Sequence, residues 1–323
     1  LLVYVGLFMV LYGIIYAMLE NDMRRILAYS IVNQVGFMIA GIGIGTTMAL
    51  NGAAAHAFAH IIYKSLLFMS AGSVLHMTGR RKCTDLGGLF RSMPLTTLCA
   101  IVGAVSISGF PLTSGFISKS MIVEAAADQH LAVIWLLLVA ASAGVFLHAG
   151  IKFPWFVFFH RDSGLRPPDP PISMRLAMIL YAGMCIGIGV APATLYILLP
   201  YPVDYLPYTA THVVQTLQLL LFSGLAFFLM LPFLRRTLTI TLDTDWFYRR
   251  LLPRGVRRLL AIGQPLDSAL RRGSREALNG LIAALSRYHA PQGFLARTWP
   301  TGSMVLWIAV LLGAYLLAYL FST

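Results

Sequence analysis

Residues 48–77 read MALNGAAAHAFAHIIYKSLLFMSAGSVLHM and contain a single Lys, Arg, Asp or Glu side chain, that of Lys64. A helix crosses the hydrocarbon core of a bilayer in about 20 apolar residues, so this stretch predicts a membrane-spanning helix. His56, His60 and Lys64 follow one another at intervals of four residues, which places their side chains on one face of that helix. The stretch therefore predicts a membrane helix with a row of titratable groups along one face.

The composition of the whole chain is that of a membrane protein. Of its 323 residues, 58% are hydrophobic and only 11% are charged, whereas soluble domains carry about 25% charged residues. Three cysteines do not make a disulfide framework. The apolar runs that are long enough to span a bilayer are Leu1–Leu19, Ile26–Gly45, Met48–Met77, Leu95–Ala127, Leu131–Phe159, Met174–Pro200, Val213–Leu234 and Met304–Phe321. We therefore predict an all-α integral membrane protein with about eight transmembrane helices.

The fourth run, Leu95–Ala127, is either one interrupted span or two short spans, because residues 108–115 read Ser-Gly-Phe-Pro-Leu-Thr-Ser-Gly. The distribution of Lys and Arg discriminates between them, since cytoplasmic loops retain positive charge. If the run is one span, all basic loops fall on one side of the membrane. The loops on the other side, at 46–47, 128–130 and 201–212, then contain neither Lys nor Arg. The sequence thus predicts one broken helix and an external N-terminus.

The net charge of +12 arises largely from one polar interval, since half of the 24 basic residues lie between Arg235 and Arg297. Apolar residues alternate with these arginines at helical spacing, as in an amphipathic helix that lies laterally in the headgroup layer. A solvated cytoplasmic loop is the alternative. A basic nucleic-acid-binding domain is disfavoured because aromatic residues are sparse, so we expect no nucleic acid among the partners.

The row on the third span favours proton transfer. A lysine at mid-bilayer costs several kcal/mol unless it is hydrated, paired or neutral. A single histidine on such a helix is more often a packing residue, but three titratable groups in one row favour a path for protons or ions. Asn33 and Gln34 in the second span are neutral polar groups that either hold water or bond neighbouring helices.

A second candidate site follows the interruption of the fourth run. Unwound backbone inside a membrane occurs where it is buried in protein or lines a wet cavity, and transporters place binding sites at such breaks. Lys119 lies four residues after Gly115 and is the titratable group next to this break. Glu124, five residues further on, pairs with Lys119, accepts its proton at the outer end of the path, or is an interfacial carboxylate.

The fifth span adds His148 and Lys152, again four residues apart. Lys152 is either part of the relay or an anchor whose ammonium reaches the cytoplasmic interface. We expect no cofactor and no metal, because the cysteines lack iron–sulfur spacing and no Gly-rich nucleotide loop is present.

Three motifs in this order resemble the proton-conducting antiporter-like subunits. They are Asp22-Met-Arg-Arg-Ile-Leu-Ala-Tyr-Ser, then His56-x3-His60-x3-Lys64, then the run from Gly109-Phe-Pro to Ser-Lys119. The family includes the A-type and D-type subunits of Mrp-type multisubunit Na⁺/H⁺ antiporters and the large membrane-arm subunits of respiratory complex I. The resemblance covers Leu1 to about Phe159, and the form of the third motif is most similar to the D-type subunit of Mrp antiporters.

The resemblance implies an inverted-repeat core of two halves, of which residues 1–159 are the second. Residues 160–234 then add two transmembrane helices, 235–302 form the basic amphipathic segment, and 303–323 form the last span. In the family, the lysine at the position of Lys64 is a proton carrier, the lysine at the position of Lys119 is the terminal carrier, and His60 and His56 match relay positions. Where other members often have Asp-x-Lys-Arg, this chain has Arg24, which stays charged.

In the C-terminal part of the chain, the stretch beginning Asp243-Thr-Asp-Trp resembles the start of the lateral helix in the largest complex I antiporter-like subunit. From the family we expect a proton-translocating subunit of a multisubunit monovalent cation (Na⁺)/proton antiporter in the inner (plasma) membrane of a bacterium. The alternative is a proton-pumping subunit of a complex I-like NADH:quinone oxidoreductase, and a third hypothesis is a non-conducting scaffold.

The expected partners follow from the same family. They are the other subunits of the assembly, an N-terminal half supplied upstream or by another polypeptide, H⁺ with Na⁺ as the candidate second ion, and the lipid membrane. The chain opens inside an apolar run, so we expect that the first half of the core precedes it or lies on a separate chain.

Overall fold

The structure, a computed structural model, describes residues 1–232, 246–290, 293 and 300–322. All regular elements in these ranges are helices, which confirms the predicted all-α class. The chain divides into two compact units, Leu1–Ile240 and Thr241–Thr323. Of the predicted basic interval, the flanking Arg235, Arg236 and Arg297 and the tail motif residues 243–245 lie outside the described residues.

The first unit is a bundle of hydrophobic helices. They are α1 (Leu2–Leu19), α2 (Met23–Ile44), α3 (Thr47–Thr78), α4 (Pro94–Ser108), α5 (Ser114–Asp128), α6 (Ala132–Phe159), α7 (Ile172–Val190) and α8 (Ala210–Met230). The second unit contains α9 (Leu252–His289) and α10 (Thr301–Ser322). Seven of these helices are long and apolar enough to cross a membrane, and α4 and α5 together form the broken span.

Local signals set the helix ends. The carboxylate of Asp22 accepts hydrogen bonds from the backbone N–H groups of Arg24 and Arg25, which caps α2. Thr46 caps α3 in the same way through Ala49 N–H. Gly45 and Gly79 end α2 and α3 in the left-handed conformation that glycine adopts without strain.

Glycines bring α1 and α2 into close contact. A Cβ atom on Gly36 would lie 2.7 Å from both the carbonyl oxygen of Gly6 and Val10 Cγ2, and one on Gly13 would lie 2.6 Å from the backbone nitrogen of Asn33. Membrane helices commonly pack through such small residues, because apolar burial alone gives little driving force in lipid. This packing fixes α2, and with it the polar side chains Asn33 and Gln34, against α1.

The predicted interruption of the fourth span is confirmed at residues 109–113. Gly109 has φ of 77° and Leu112 has φ of 68°, a value that a non-glycine residue rarely adopts. The end of α4 is closed locally, since Phe110 N–H donates to Val105 O at 3.1 Å. The break packs against α7, where a Cβ atom on Gly189 would collide with the carbonyl group of Leu112.

Helix α6 departs from α-helical geometry in its second half. Its first part, Ala132–Val145, continues through two π-helical stretches, Phe146–Lys152 and Trp155–Phe159. Such stretches are rare and often coincide with functional sites. Both titratable residues of this span, His148 and Lys152, lie in the first stretch and are buried.

In the second unit, α9 forms the long amphipathic helix expected in the basic interval. Its arginines and apolar side chains are alike exposed within the chain, as expected of a helix whose apolar face meets lipid or another protein. A helix, not an irregular loop, therefore occupies the described part of this interval.

Candidate functional site

Four of the titratable side chains predicted from the sequence are buried on α3 and α5 of the first unit. Exposed fractions are 0% for His56, 8% for His60 and 4% for Lys64 on α3, and 4% for Lys119 on α5. A chain with so few charged residues nevertheless buries four ionisable groups on two adjacent helices. Since buried charge is costly in a membrane, these positions have the burial expected of an ion or proton path.

His56 is the centre of a hydrogen-bonded network that joins three helices. Its Nδ1 lies 3.0 Å from Ser118 Oγ on α5, and its Nε2 lies 2.9 Å from Gln34 Oε1 on α2. Tyr63 Oη donates to the same Gln34 oxygen at 3.2 Å. Because an amide oxygen only accepts, the tautomer with hydrogen on Nε2 satisfies this arrangement.

The side-chain amide of Gln34 is held in place by Asn33. Its Nε2 donates to Asn33 Oδ1 at 2.7 Å, and Asn33 Nδ2 donates to the Val10 carbonyl on α1 at 2.9 Å. The two amides therefore bond neighbouring helices, one of the two roles predicted for them. A chain of hydrogen bonds runs from α1 through α2 to His56.

His60 and Lys64 continue the row toward the middle of α3. The ring centroid of His60 lies 6.5 Å from that of His56 and 5.5 Å from that of Tyr63. Neither His60 Nε2 nor Lys64 Nζ has a hydrogen-bond partner among the described side chains and backbone groups. A buried polar atom without a fixed partner is destabilising unless water reaches it, and such atoms are rare in native structures. No fixed acceptor among the described groups holds the ammonium of Lys64.

Lys119 contacts the end of α4, next to the break. Its Nζ donates to the carbonyl oxygen of Ile107, in the last turn of α4, at 2.9 Å, and it lies 5.4 Å from the ring centre of Phe37. The last carbonyls of a helix have no partner within the helix and carry partial negative charge, so they are good acceptors for an ammonium. The interruption of the fourth span thus creates the acceptor that Lys119 uses.

His148 on α6 is buried one helical turn before Lys152. Its Nδ1 is 2.7 Å from the carbonyl oxygen of Gly144, so Nδ1 carries the hydrogen, and its buried Nε2 has no partner among the described groups.

Lys152 is held differently from the other lysines. Its Nζ donates to the carbonyl oxygens of Ala17, Met18 and Glu20 at 3.0, 2.5 and 2.7 Å. These carbonyls are at the C-terminal end of α1, where cations are favourable. The ammonium of Lys152 therefore caps α1 from a distant part of the chain.

A cavity of about 500 Å³ adjoins Lys119 between α5, α6 and α8. Glu124 is exposed on its wall, and the structure shows no ion pair between Glu124 and Lys119. His212, in the first turn of α8, also lines the cavity. Within the described part of the chain, no group of His, Cys, Asp or Glu side chains is arranged to hold a metal ion.

The sequence alone did not single out Tyr63 or His212. Tyr63 lies seven residues after His56, and this spacing of two helical turns is the signal that could have found it. His212 has no such signal, because it is brought to the cavity by α8, more than 80 residues after Lys119 in the chain.

Comparisons with known proteins agree with the motifs. The family model described as NADH:quinone oxidoreductase/Mrp antiporter, TM, matches residues 1–144. A probable A/B-type subunit of a K⁺/H⁺ antiporter from Rhizobium meliloti (strain 1021) is 34% identical over 195 residues, covering 58% of this chain and 20% of that protein. NADH-ubiquinone oxidoreductase chain 5 of Triticum aestivum is 36% identical over 173 residues, covering 51% of this chain and 25% of that protein.

A solved structure extends the likeness beyond the matched segment. A chain of the membrane-bound sulfane sulfur reductase, an archaeal respiratory membrane complex, superposes with a TM-score of 0.60 at 25% identity and covers 97% of this chain and 55% of that chain. This chain therefore spans a fifth to about half of the length of these relatives. The segment that matches the family model, residues 1–144, contains His56, His60, Lys64 and Lys119, so this part of the chain is similar to the NADH:quinone oxidoreductase/Mrp antiporter family of membrane proteins.

Proposed function

We propose that this chain is a proton-translocating subunit of a multisubunit monovalent cation/proton antiporter, with Na⁺ as the candidate cation. The observation that carries the proposal is the hydrogen bond between Ser118 and His56, because it joins the two lysine-bearing helices. Lys119 directly follows Ser118 on α5, and His56 leads through His60 to Lys64 on α3. The buried groups thus lie in one row from the break to the middle of the bundle, with hydrogen bonds at its His56 end.

Protons move along this row by alternation of Lys64 and Lys119 between ammonium and amine. The neighbours of each lysine support such exchange: Lys64 Nζ has no fixed acceptor among the described groups, and Lys119 Nζ has one. His56 and His60 relay the proton between them, because an imidazole accepts a proton at one nitrogen and releases it from the other. His148 and Lys152 are further buried members of the proposed relay on α6, and Glu124 lies on the cavity next to Lys119.

We infer that the chain works with other polypeptides. It spans only a fifth to a quarter of the two curated relatives described above, one of which is named as an antiporter subunit. A partner that supplies the other half of the core, together with further subunits of the assembly, completes the path. We place this assembly in the inner membrane of a bacterium.

The alternative is the same relay in a redox-driven complex, and the 36% identity to an NADH-ubiquinone oxidoreductase chain 5 is the observation in its favour. The two functions differ in what drives proton movement. In vesicles that contain the purified assembly, an antiporter moves protons in response to a Na⁺ or K⁺ gradient, whereas a redox pump requires quinone reduction.

Substitution of the two lysines tests the relay in the same vesicles. Arginine retains the positive charge but does not release its proton near neutral pH. We therefore expect Lys64→Arg and Lys119→Arg to lose coupled proton flux nearly as completely as the alanine variants. Wild-type flux in Lys119→Arg, with assembly confirmed on native gels, would contradict the carrier role of Lys119. Wild-type flux in both alanine variants would instead favour a non-conducting scaffold.

A further inference from the structure

The cavity beside Lys119 contains a titratable residue to which the family resemblance assigns no role. His212 lies in the first turn of α8, where Thr209 Oγ1 accepts a hydrogen bond from the His212 backbone N–H at 3.3 Å and caps the helix. The loop that precedes it, 201–209, contains no Lys or Arg and is on the predicted outer side of the membrane. His212 is therefore at the end of the cavity from which a proton would leave.

The imidazole ring is held in one orientation. It stacks on the buried ring of Phe116, with centroids 4.6 Å apart and planes inclined by 22°. Nδ1 lies 2.8 Å from the carbonyl oxygen of Pro207 and must carry hydrogen, since a carbonyl only accepts. Nε2 of the neutral ring is then the nitrogen that can accept a proton.

The stacking also brings His212 close to the terminal lysine. Phe116 and Lys119 are three residues apart on α5, so their side chains are neighbours on one helix face. His212 packs on Phe116, and both His212 and Lys119 line the cavity of about 500 Å³. A cavity of this size accommodates several water molecules, each taking about 30 Å³ in the liquid, and Lys119, Glu124 and His212 offer them polar partners on walls that are otherwise mostly apolar.

The other ionisable groups near the cavity are few. Glu124 lines it from α5, while α6 contributes Trp135 and Ser142 and no charged side chain. Tyr208 stacks on Phe116 with centroids 5.3 Å apart. Tyr205 approaches Ser120 and Glu124, and burial raises the pKa of its hydroxyl to about 12, so it stays protonated. His212 is thus the one neutral nitrogen base among the described groups that line this cavity.

We propose that His212 is the residue that receives the proton from Lys119 across this cavity and releases it to the outer side. The inference rests on the proposed function and adds its exit step. The Lys119 ammonium gives a proton through cavity water to His212 Nε2, which leaves an amine on Lys119 and an imidazolium on His212. The imidazolium then returns the proton to external water, so that His212 is again neutral, and Lys119 regains its ammonium from the next proton that the relay delivers.

The test is proton flux in vesicles that contain the assembly with His212→Asn. The asparagine amide still donates to Pro207 but has no atom that titrates, so we expect flux to fall by about tenfold or more. Imidazole added to the medium should restore much of the flux, because it replaces the missing base. His130→Asn is the matched control, since His130 is an exposed histidine on the same predicted side and its φ of 54° suits asparagine; this variant should keep wild-type flux.

The outcomes separate this inference from the function on which it rests. Wild-type flux in His212→Asn together with lost flux in Lys119→Ala overturns the role of His212 and leaves the relay intact. Lost flux in His212→Asn and His212→Gln without recovery in imidazole, in assemblies intact on native gels, also overturns it, because a structural role is then sufficient. Wild-type flux in Lys119→Ala overturns the proposed function itself.

Discussion

Lys64, Lys119 and Lys152 are all buried, but they differ in how firmly each ammonium is held. Lys152 Nζ donates to three carbonyl oxygens and Lys119 Nζ to one, while Lys64 Nζ has no acceptor among the described groups. A hydrogen bond to a charged group contributes about 1.5–3 kcal/mol. A lysine that exchanges its proton must leave its acceptors in each cycle, so exchange is easiest at Lys64 and hardest at Lys152.

From this ordering we predict that Lys152 is a fixed cation that stabilises the end of α1. Lys152→Met should lower the stability of the protein in detergent by about 2–4 kcal/mol, because it leaves several helix-terminal carbonyls without their donor. Lys152→Arg should keep most of the proton flux, since a guanidinium also donates to carbonyls. Thermal unfolding in detergent and flux in vesicles measure the two effects.

The exposed Lys82 provides the control for this prediction, because Lys82→Met removes a lysine from the same predicted side without uncovering carbonyls. If Lys152→Arg loses flux as completely as Lys119→Arg, Lys152 is a member of the relay and not a cap.

At the level of the helices, the polar network depends on how closely α1 and α2 approach. Gly36→Leu would place its first side-chain carbon 2.7 Å from Gly6 O and Val10 Cγ2. We predict a destabilisation of about 1–3 kcal/mol although leucine is the better helix former. Flux should fall as well, because Gln34 lies two residues away on α2. Thermal unfolding of purified protein and flux in vesicles measure both.

Gly72→Leu is the matched control on α3, since no atom lies within 4 Å of a Cβ placed there. This variant should unfold at or above the wild-type temperature. Equal destabilisation by the two substitutions would mean that the close approach of α1 and α2 does not contribute to stability.

The helices also show what a sequence can and cannot predict. The length and composition of the apolar runs were sufficient to predict the membrane spans, and the Pro and Gly residues of 108–115 were sufficient to predict the break. Both features depend on local chemistry. The face shared by His56, His60 and Lys64 followed from spacing alone. The acceptors of Lys152 could not be predicted, since they lie about 135 residues earlier in the chain. The π-helical geometry of α6 has no distinct composition.

For the whole molecule, the loops fall into two groups that agree with the predicted orientation. The turn before α2 and the loop after α3 are joined, since Asp22 pairs with Arg81 at 3.2 Å and Met23 N–H donates to the Arg81 carbonyl at 2.9 Å. At the other end of α3, Asn51 exchanges two hydrogen bonds of 3.0 Å with the backbone of Tyr201. The first group is rich in arginine, and the loop at 201–212 has no Lys or Arg.

These groups determine how the orientation is tested. Natural cysteines are unsuitable probes, because Cys83, Cys99 and Cys185 are all buried. We therefore choose exposed positions, Arg80 in the basic loop and Asp204 in the uncharged group. Since basic loops are retained in the cytoplasm, Arg80→Cys should react with a membrane-impermeant maleimide only after the cells are opened, and Asp204→Cys should react in intact cells. If α4 and α5 form one span, the two loops lie on opposite sides of the membrane. Reaction of both cysteines in intact cells, or of neither, would therefore mean that α4 and α5 do not form one span.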